Sequence, residues 1–207
     1  PDLAEADPMF HYDNERWIPP DTEGRYRKSA DAVERYLTRL SSPTNPEAQF
    51  FARADNLTDW LAIVEKRLGS LSQRLSASVG QVRLNTDLSG DTNARQSTDS
   101  PDVLLVKTPW TTIDDIFYES RGTSWALVHF LHAMETDFED VLRKKNATVS
   151  FRQIIRELEA TLEPLNSPMV LNGDQFGLFA NHSLVMANYI ARANAAIIDL
   201  RKLLQEG

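Results

Sequence analysis

The fold is decided by Trp110–Leu142, which reads WTTIDDIFYESRGTSWALVHFLHAMETDFEDVL. Its large apolar side chains recur on nearly every side of a helical wheel, and a helix that is apolar on so many sides is usually central. The small residues Ser120, Gly122 and Ser124 would let a second helix approach closely, although the glycine could equally mark a kink. We therefore expect the other segments to pack around this helix.

Four further segments carry the apolar spacing of amphipathic helices. They cover about 22–40, 46–84, 150–162 and 181–205. The second holds a near-heptad spacing throughout and predicts one long helix, although Gly69 and Gly80 each cost roughly 1 kcal/mol relative to alanine. We find no convincing strand. The sequence thus predicts an all-α protein, an antiparallel bundle of about five helices.

Two segments lack this period. Residues 1–20 are polar and contain four prolines, and we expect them to form an irregular N-terminal segment. Residues 85–101 read NTDLSGDTNARQSTDSP, and this polar composition, rich in turn formers, predicts a flexible segment. The predicted organisation is one helical-bundle domain over 21–207 with a flexible insert at 85–101.

The composition is that of a globular protein without a basic surface. The net charge of -8 argues against nucleic acid or an anionic membrane surface as the main partner. The absence of cysteine excludes disulfides, thiol nucleophiles and cysteine-based metal sites. No apolar run approaches the roughly 18 residues of a membrane span. Because the chain begins at Pro1 without a methionine, we interpret it as a processed or trimmed fragment whose anchor would have lain upstream.

A metal site is the first candidate on the central helix. His129, His132 and Glu135 follow one another at i, i+3 and i+6, close enough on one side of a helix to share a metal. The H-E-x-x-H and E-x-x-H motifs are both absent, however. We therefore favour two partly buried packing histidines, with Glu135 paired to a basic residue of another helix, and predict no metal and no cofactor.

A pair of carboxylates is the second candidate. Asp114, Asp115, Glu119 and Glu135 could supply the two groups, about 5 to 9.5 Å apart, that a glycosidase-type reaction needs. The two aspartates are equally explained by the first helical turn, where the helix dipole favours acidic residues. A hydrolase with carboxylates near Glu119 and Glu135 is thus one alternative; a non-enzymatic role is favoured, and no catalytic residue is assigned.

An anion site is the third candidate. Arg121 lies on the shoulder of the predicted buried face beside Glu119 and Trp125, and a guanidinium matches the geometry of a carboxylate ligand. An internal ion pair, with Glu135 or with a carboxylate of another helix, is the interpretation that we favour.

A polar collar precedes the last helix. It contains Asn181 and His182, and a helix N-terminus can bind an anion. Such residues more often cap the helix and fasten the loop before it, and we favour that role here.

Five long stretches of the chain are idiosyncratic in sequence. They are QRLSASVGQ (73–81), DDIFYESRGTSWALVHFL (114–131), KKNATVSFRQIIRELEAT (144–161), SPMVLNG (167–173) and ANHSLVMANYIARANAAIIDLR (180–201). These stretches resemble an uncharacterised proteobacterial domain-of-unknown-function family. Such proteins look like single-span inner-membrane proteins with most of their mass in the periplasm. The resemblance implies a periplasmic domain, tethered to the inner membrane in the full-length protein, and implies no activity, cofactor or catalytic residue.

The combined expectation is a non-enzymatic helical domain of a bacterial envelope protein, with a protein-interaction or structural role. The expected partner is another envelope protein, which would contact the long helix at 46–84 and the segment at 85–101. The alternatives are a cell-wall-active hydrolase that uses paired carboxylates and a small-anion sensor with its ligand near Arg121.

Overall fold

The computed structural model describes residues 22–42, 49–85 and 103–206, which form six α-helices and one two-stranded sheet. In chain order the elements are α1 (Thr22–Leu40), α2 (Ala54–Ser76), β1 (Gln81–Leu84), β2 (Val103–Val106), α3 (Ile113–Asp137), α4 (Glu139–Lys144), α5 (Thr148–Ala160) and α6 (His182–Glu206). The predicted all-α class is confirmed. The chain divides into two compact units, residues 1–51 and 52–207.

The first unit contains α1, which matches the first predicted helix. The Tyr36 hydroxyl of α1 donates to the main-chain carbonyl of Gln49, which lies beyond the end of the helix, at 3.1 Å. The predicted irregular segment at 1–20 and almost all of the predicted flexible segment at 85–101 lie outside the described residues. The prediction of a single domain over 21–207 stays a prediction.

Four helices of the second unit, α2, α3, α5 and α6, form an antiparallel bundle. Two contacts show that α2 and α6 run in opposite directions: Glu65 pairs with Arg201, whereas Ser72, further along α2, donates to the carbonyl of Ala187, which is earlier in α6. All four helices contribute buried side chains to one core. Within the described ranges, every helix is too short or too polar to span a bilayer.

The predicted long helix at 46–84 is wrong at both ends. Residues 46–48 lie outside the described part, and α2 begins only at Ala54. At its other end, α2 stops at Ser76 and a short 3-10 turn leads to Gly80. Gly80 has φ +87°, a left-handed conformation that a side chain disfavours and that a helix does not use.

After Gly80 the chain forms a strand where no strand was predicted. β1 pairs with β2 in antiparallel register, with Val82 opposite Leu105 and Leu84 opposite Val103. We call this two-stranded sheet the β-ribbon. Val79 and Val82 continue the helical spacing of α2, whereas Val82 and Leu84 have the spacing of a strand face, so the local pattern did not distinguish the two.

The helix at Trp110–Leu142 is less central than predicted. It is divided into α3 and the short α4, and the side chains of Tyr118, Trp125 and Phe130 are exposed. Both α3 and α6 contact the other three long helices of the bundle, but α6 has the larger interfaces with α2 and α5. The other long helices therefore pack against α3 as expected, although α6 is the more central of the two.

Candidate functional site

The candidate residues from the sequence fall into two separate groups along α3. At 1.5 Å per residue, Glu119 and Glu135 lie about 24 Å apart along the helix axis. Glu119 and Arg121 lie toward the α3 N-terminus, at the end of the bundle where α6 begins, and His129, His132 and Glu135 lie toward the other end. In the described structure, Glu119 is therefore far from Glu135, and the two histidines are far from Arg121.

The histidine group is engaged in surface contacts. The His129 Nδ1 atom lies 2.8 Å from the Trp125 carbonyl oxygen, and the two rings are 4.3 Å apart between centroids. His132 Nε2 lies 3.4 Å from a carboxylate oxygen of Glu159. Both histidines are exposed, so the prediction of partly buried packing histidines is wrong.

Glu135 pairs with Arg152 of α5, a basic residue of another helix as the sequence predicted. His132 Nδ1 is 4.0 Å from the second oxygen of the same carboxylate. In the described part of the chain, no group of three or more histidine, cysteine, aspartate or glutamate side chains is arranged to hold a metal ion.

Glu119 is held in a two-pronged ion pair by Arg74 of α2. Its oxygens accept hydrogen bonds from the two terminal nitrogens at 2.9 and 2.6 Å, and this contact raises the pKa of Arg74 above its usual value. The pair connects α2 and α3 near the ends that carry the β-ribbon. Since Glu119 and Glu135 each pair with an arginine and lie about 24 Å apart, they do not form a glycosidase pair, which needs at most about 9.5 Å.

Arg121 binds main-chain carbonyl groups rather than a carboxylate. Its guanidinium donates to the carbonyl oxygens of Thr161 at 3.3 Å, Leu162 at 2.6 Å and Glu163 at 2.8 Å. These groups follow the C-terminus of α5, where the last carbonyls lack partners within the helix and a cation is favourable. The predicted ion pair with Glu135 or another helix's carboxylate is therefore wrong: Arg121 caps α5 from the neighbouring helix.

The polar collar before α6 has the capping role that we favoured. The Asn181 side-chain oxygen accepts from the Leu184 main-chain N–H at 2.9 Å, and its amide donates to the Gly173 carbonyl at 2.6 Å. His182 Nδ1 accepts from the Leu171 main-chain N–H at 3.0 Å. The collar therefore starts α6 and fastens the passage 161–181.

Arg121 and His182, far apart in the sequence, line one cleft of about 120 Å³. Tyr189 of α6 joins them there, and the remaining walls are largely apolar. We call this space the α3–α6 cleft; it is lined by Phe117, Arg121, Ala160, Thr161, Glu163, Pro164, Leu165, His182, Val185, Met186 and Tyr189. Sequence reasoning named two of these residues but did not connect them, because no local pattern reports a contact between distant segments.

A second feature, the apolar face of the β-ribbon, was not predicted from the sequence. Alternate residues of a strand share a face, so the register places Val82, Leu84, Val103 and Leu105 together. These four side chains are between 47% and 74% exposed. One face of the ribbon is thus wholly apolar and open to solvent.

An apolar loop tip lies beside the base of the ribbon. Phe176, Leu178 and Phe179 are exposed, the first two completely. Residues 174–177 line one cleft together with Val79 and Gly80, which directly precede β1. We call the seven residues of the ribbon face and the loop tip the apolar end.

The chain was compared with known proteins. The family described as "Uncharacterized protein conserved in bacteria (DUF2333)" matches it over residues 1–207. No curated protein and no solved structure gives a match.

Proposed function

The chain belongs to this family of uncharacterised bacterial proteins, and we propose that it is a non-enzymatic protein-binding module of the bacterial envelope. The apolar end is its contact surface. The observation that carries the proposal is the exposure of seven large apolar side chains at the same end of the bundle. Large exposed apolar patches on soluble proteins mark interaction sites.

The β-ribbon is suited to binding an extended segment of a partner protein. In the described residues β1 pairs with β2 alone, and the edge of a sheet is where a further strand can be added. A two-stranded ribbon is marginally stable in water by itself. A partner strand added to one edge would extend the sheet by main-chain hydrogen bonds, and apolar side chains elsewhere in the same partner would cover the ribbon face.

The charged residues support a non-enzymatic role. Glu119 is occupied by Arg74, Glu135 by Arg152, and Arg121 caps α5. Each of these groups thus has a structural partner, and none of these contacts joins two carboxylates.

We further propose that the module lies in the periplasm, tethered to the inner membrane in the full-length protein. The family resemblance of the five quoted stretches supports this location. The lack of cysteine is suited to an oxidising compartment.

Site-specific photo-crosslinking in cells tests the proposed function. A photoreactive amino acid replaces Leu84 or Leu105 in the full-length protein, and in a control it replaces Ile63, which is 68% exposed on α2 outside the apolar end. We expect one discrete crosslinked protein from positions 84 and 105 and none from 63. Leu84→Arg, combined with a probe at 105, should abolish the crosslink. Equal crosslinking at all three positions, or none at 84 and 105, would refute the proposed contact surface.

A further inference from the structure

We propose that the α3–α6 cleft binds a small carboxylate that carries a short alkyl chain. This site shares no residue with the apolar end and does not depend on the proposed protein partner. The cleft combines apolar walls with a small number of converging polar groups, which is the usual composition of a ligand site.

The polar groups of the cleft are hydrogen-bond donors with unused capacity. Arg121 has five N–H groups, and three bonds to carbonyl oxygens engage its two terminal nitrogens. Its Nε–H and one terminal N–H have no partner among the described residues. The guanidinium is also without a carboxylate partner in those residues, so its positive charge is available to an anion.

His182 contributes a donor because of its tautomer. Its Nδ1 accepts the Leu171 main-chain N–H, so the neutral ring carries its proton on Nε2. No described residue accepts that proton. Tyr189, also in the wall of the cleft, has a hydroxyl with no described partner. Three donors therefore converge on a space where the ligand has to supply the acceptors.

The rest of the lining indicates an apolar tail. Phe117 and Met186 are buried and form the inner wall, and Pro164, Leu165 and Val185 complete the apolar lining. Glu163 also lines the cleft, and that residue is exposed to solvent. A carboxylate ligand would thus place its oxygens on the donors and its alkyl chain against the inner wall.

The volume limits the size of the ligand. At about 120 Å³ the cleft is somewhat smaller than an apolar cavity of about 150 Å³ that accepts benzene. A ligand of about six heavy atoms fits this space. Butyrate has this size and the required chemistry, and we take it as the probe.

Titration of the full chain by two-dimensional NMR tests the site. Butyrate, acetate and the neutral isostere butyramide are added separately at constant ionic strength. We expect saturable shifts of the amide signals around His182 and Tyr189 with butyrate at millimolar concentration. Butyramide should bind at least tenfold more weakly because it lacks the charge, and acetate more weakly because it lacks the chain. Equal affinity for butyrate and butyramide, or shifts that do not saturate, would overturn the proposal.

A matched pair of variants locates the binding. Tyr189→Phe removes only the hydroxyl from the cleft and should weaken butyrate binding about tenfold, the effect of one hydrogen bond to a charged group. Tyr118→Phe makes the same chemical change at an exposed position of α3 outside the cleft and should leave binding unchanged. Equal effects of the two substitutions would place the butyrate elsewhere and overturn the assignment of this cleft. The comparison of butyrate with butyramide needs no variant and is decisive by itself.

Discussion

Replacement of Arg121 by methionine should destabilise the second unit by about 2.5 kcal/mol. Two of its bonds to the carbonyls after α5 are part-buried and one is exposed. A hydrogen bond contributes about 1 kcal/mol net, and an exposed one less, whereas an acceptor left unsatisfied costs more. Methionine keeps the aliphatic packing but supplies no donor, so the carbonyls of Thr161, Leu162 and Glu163 lose their partner.

Urea unfolding followed by circular dichroism measures this loss, and amide hydrogen exchange locates it. The matched control is Arg143→Met: Arg143 is about 65% exposed and pairs with Glu139 and Asp140, which are more exposed still. Exposed ion pairs contribute about 0 to 1 kcal/mol, so the control should lose less than about 1 kcal/mol. Exchange should accelerate at the C-terminus of α5 in the Arg121 variant alone. Equal losses in the two variants would refute the assignment of Arg121 as the cap of α5.

Three further predictions test other features of the fold. Asn181→Ala removes the side-chain cap of α6 and should cost about 1 kcal/mol in urea unfolding, whereas Asn181→Asp should retain most of the stability. An unchanged unfolding free energy in the alanine variant would contradict the cap. Gly80→Ala places a side chain at φ +87° and should lower the unfolding free energy by about 1 kcal/mol or more. Gly122→Ala, with open space around it, should stabilise α3 by up to about 1 kcal/mol. Changes of the same sign in the two variants would be inconsistent with the two backbone conformations. Leu84→Lys should change the unfolding free energy by less than about 0.5 kcal/mol and lower the fluorescence of a bound hydrophobic dye; a large loss of stability would show that this side chain is packed.

The helices were predictable where the spacing of the apolar residues matches the spacing of the buried positions. The α2 residues Leu57, Leu61, Val64, Leu68, Leu71 and Leu75 alternate in steps of four and three and are all buried. The cap at Asn181 was also predictable, because a capping side chain acts within three residues of its own position. Both signals are local.

The remaining features depend on contacts between distant segments. β1 is a strand because residues 103–106 pair with it, and a short apolar run alone does not distinguish a strand from a helix end. Arg121 was placed toward the core correctly by the helical wheel, since it is half-buried, but its partners lie just beyond the C-terminus of α5. A helical wheel shows which side of a helix a residue is on, but not how far the neighbouring helices cover that side, so it did not show that Trp125 is exposed.

The β-ribbon is mechanically coupled to α2. Thr108, two residues beyond β2, donates from its main-chain N–H to the Ala77 carbonyl at 2.9 Å and from its hydroxyl to the Arg74 carbonyl at 3.2 Å. Both strands are thus attached to the end of one helix, β1 through the chain and β2 through these two bonds. Four residues of strand reach about 13 Å, so a tilt of about 10° at the base would displace the tip by about 2 Å. A force applied to the tip would in turn act as a torque on α2. Through α2, that force would be transmitted along the bundle.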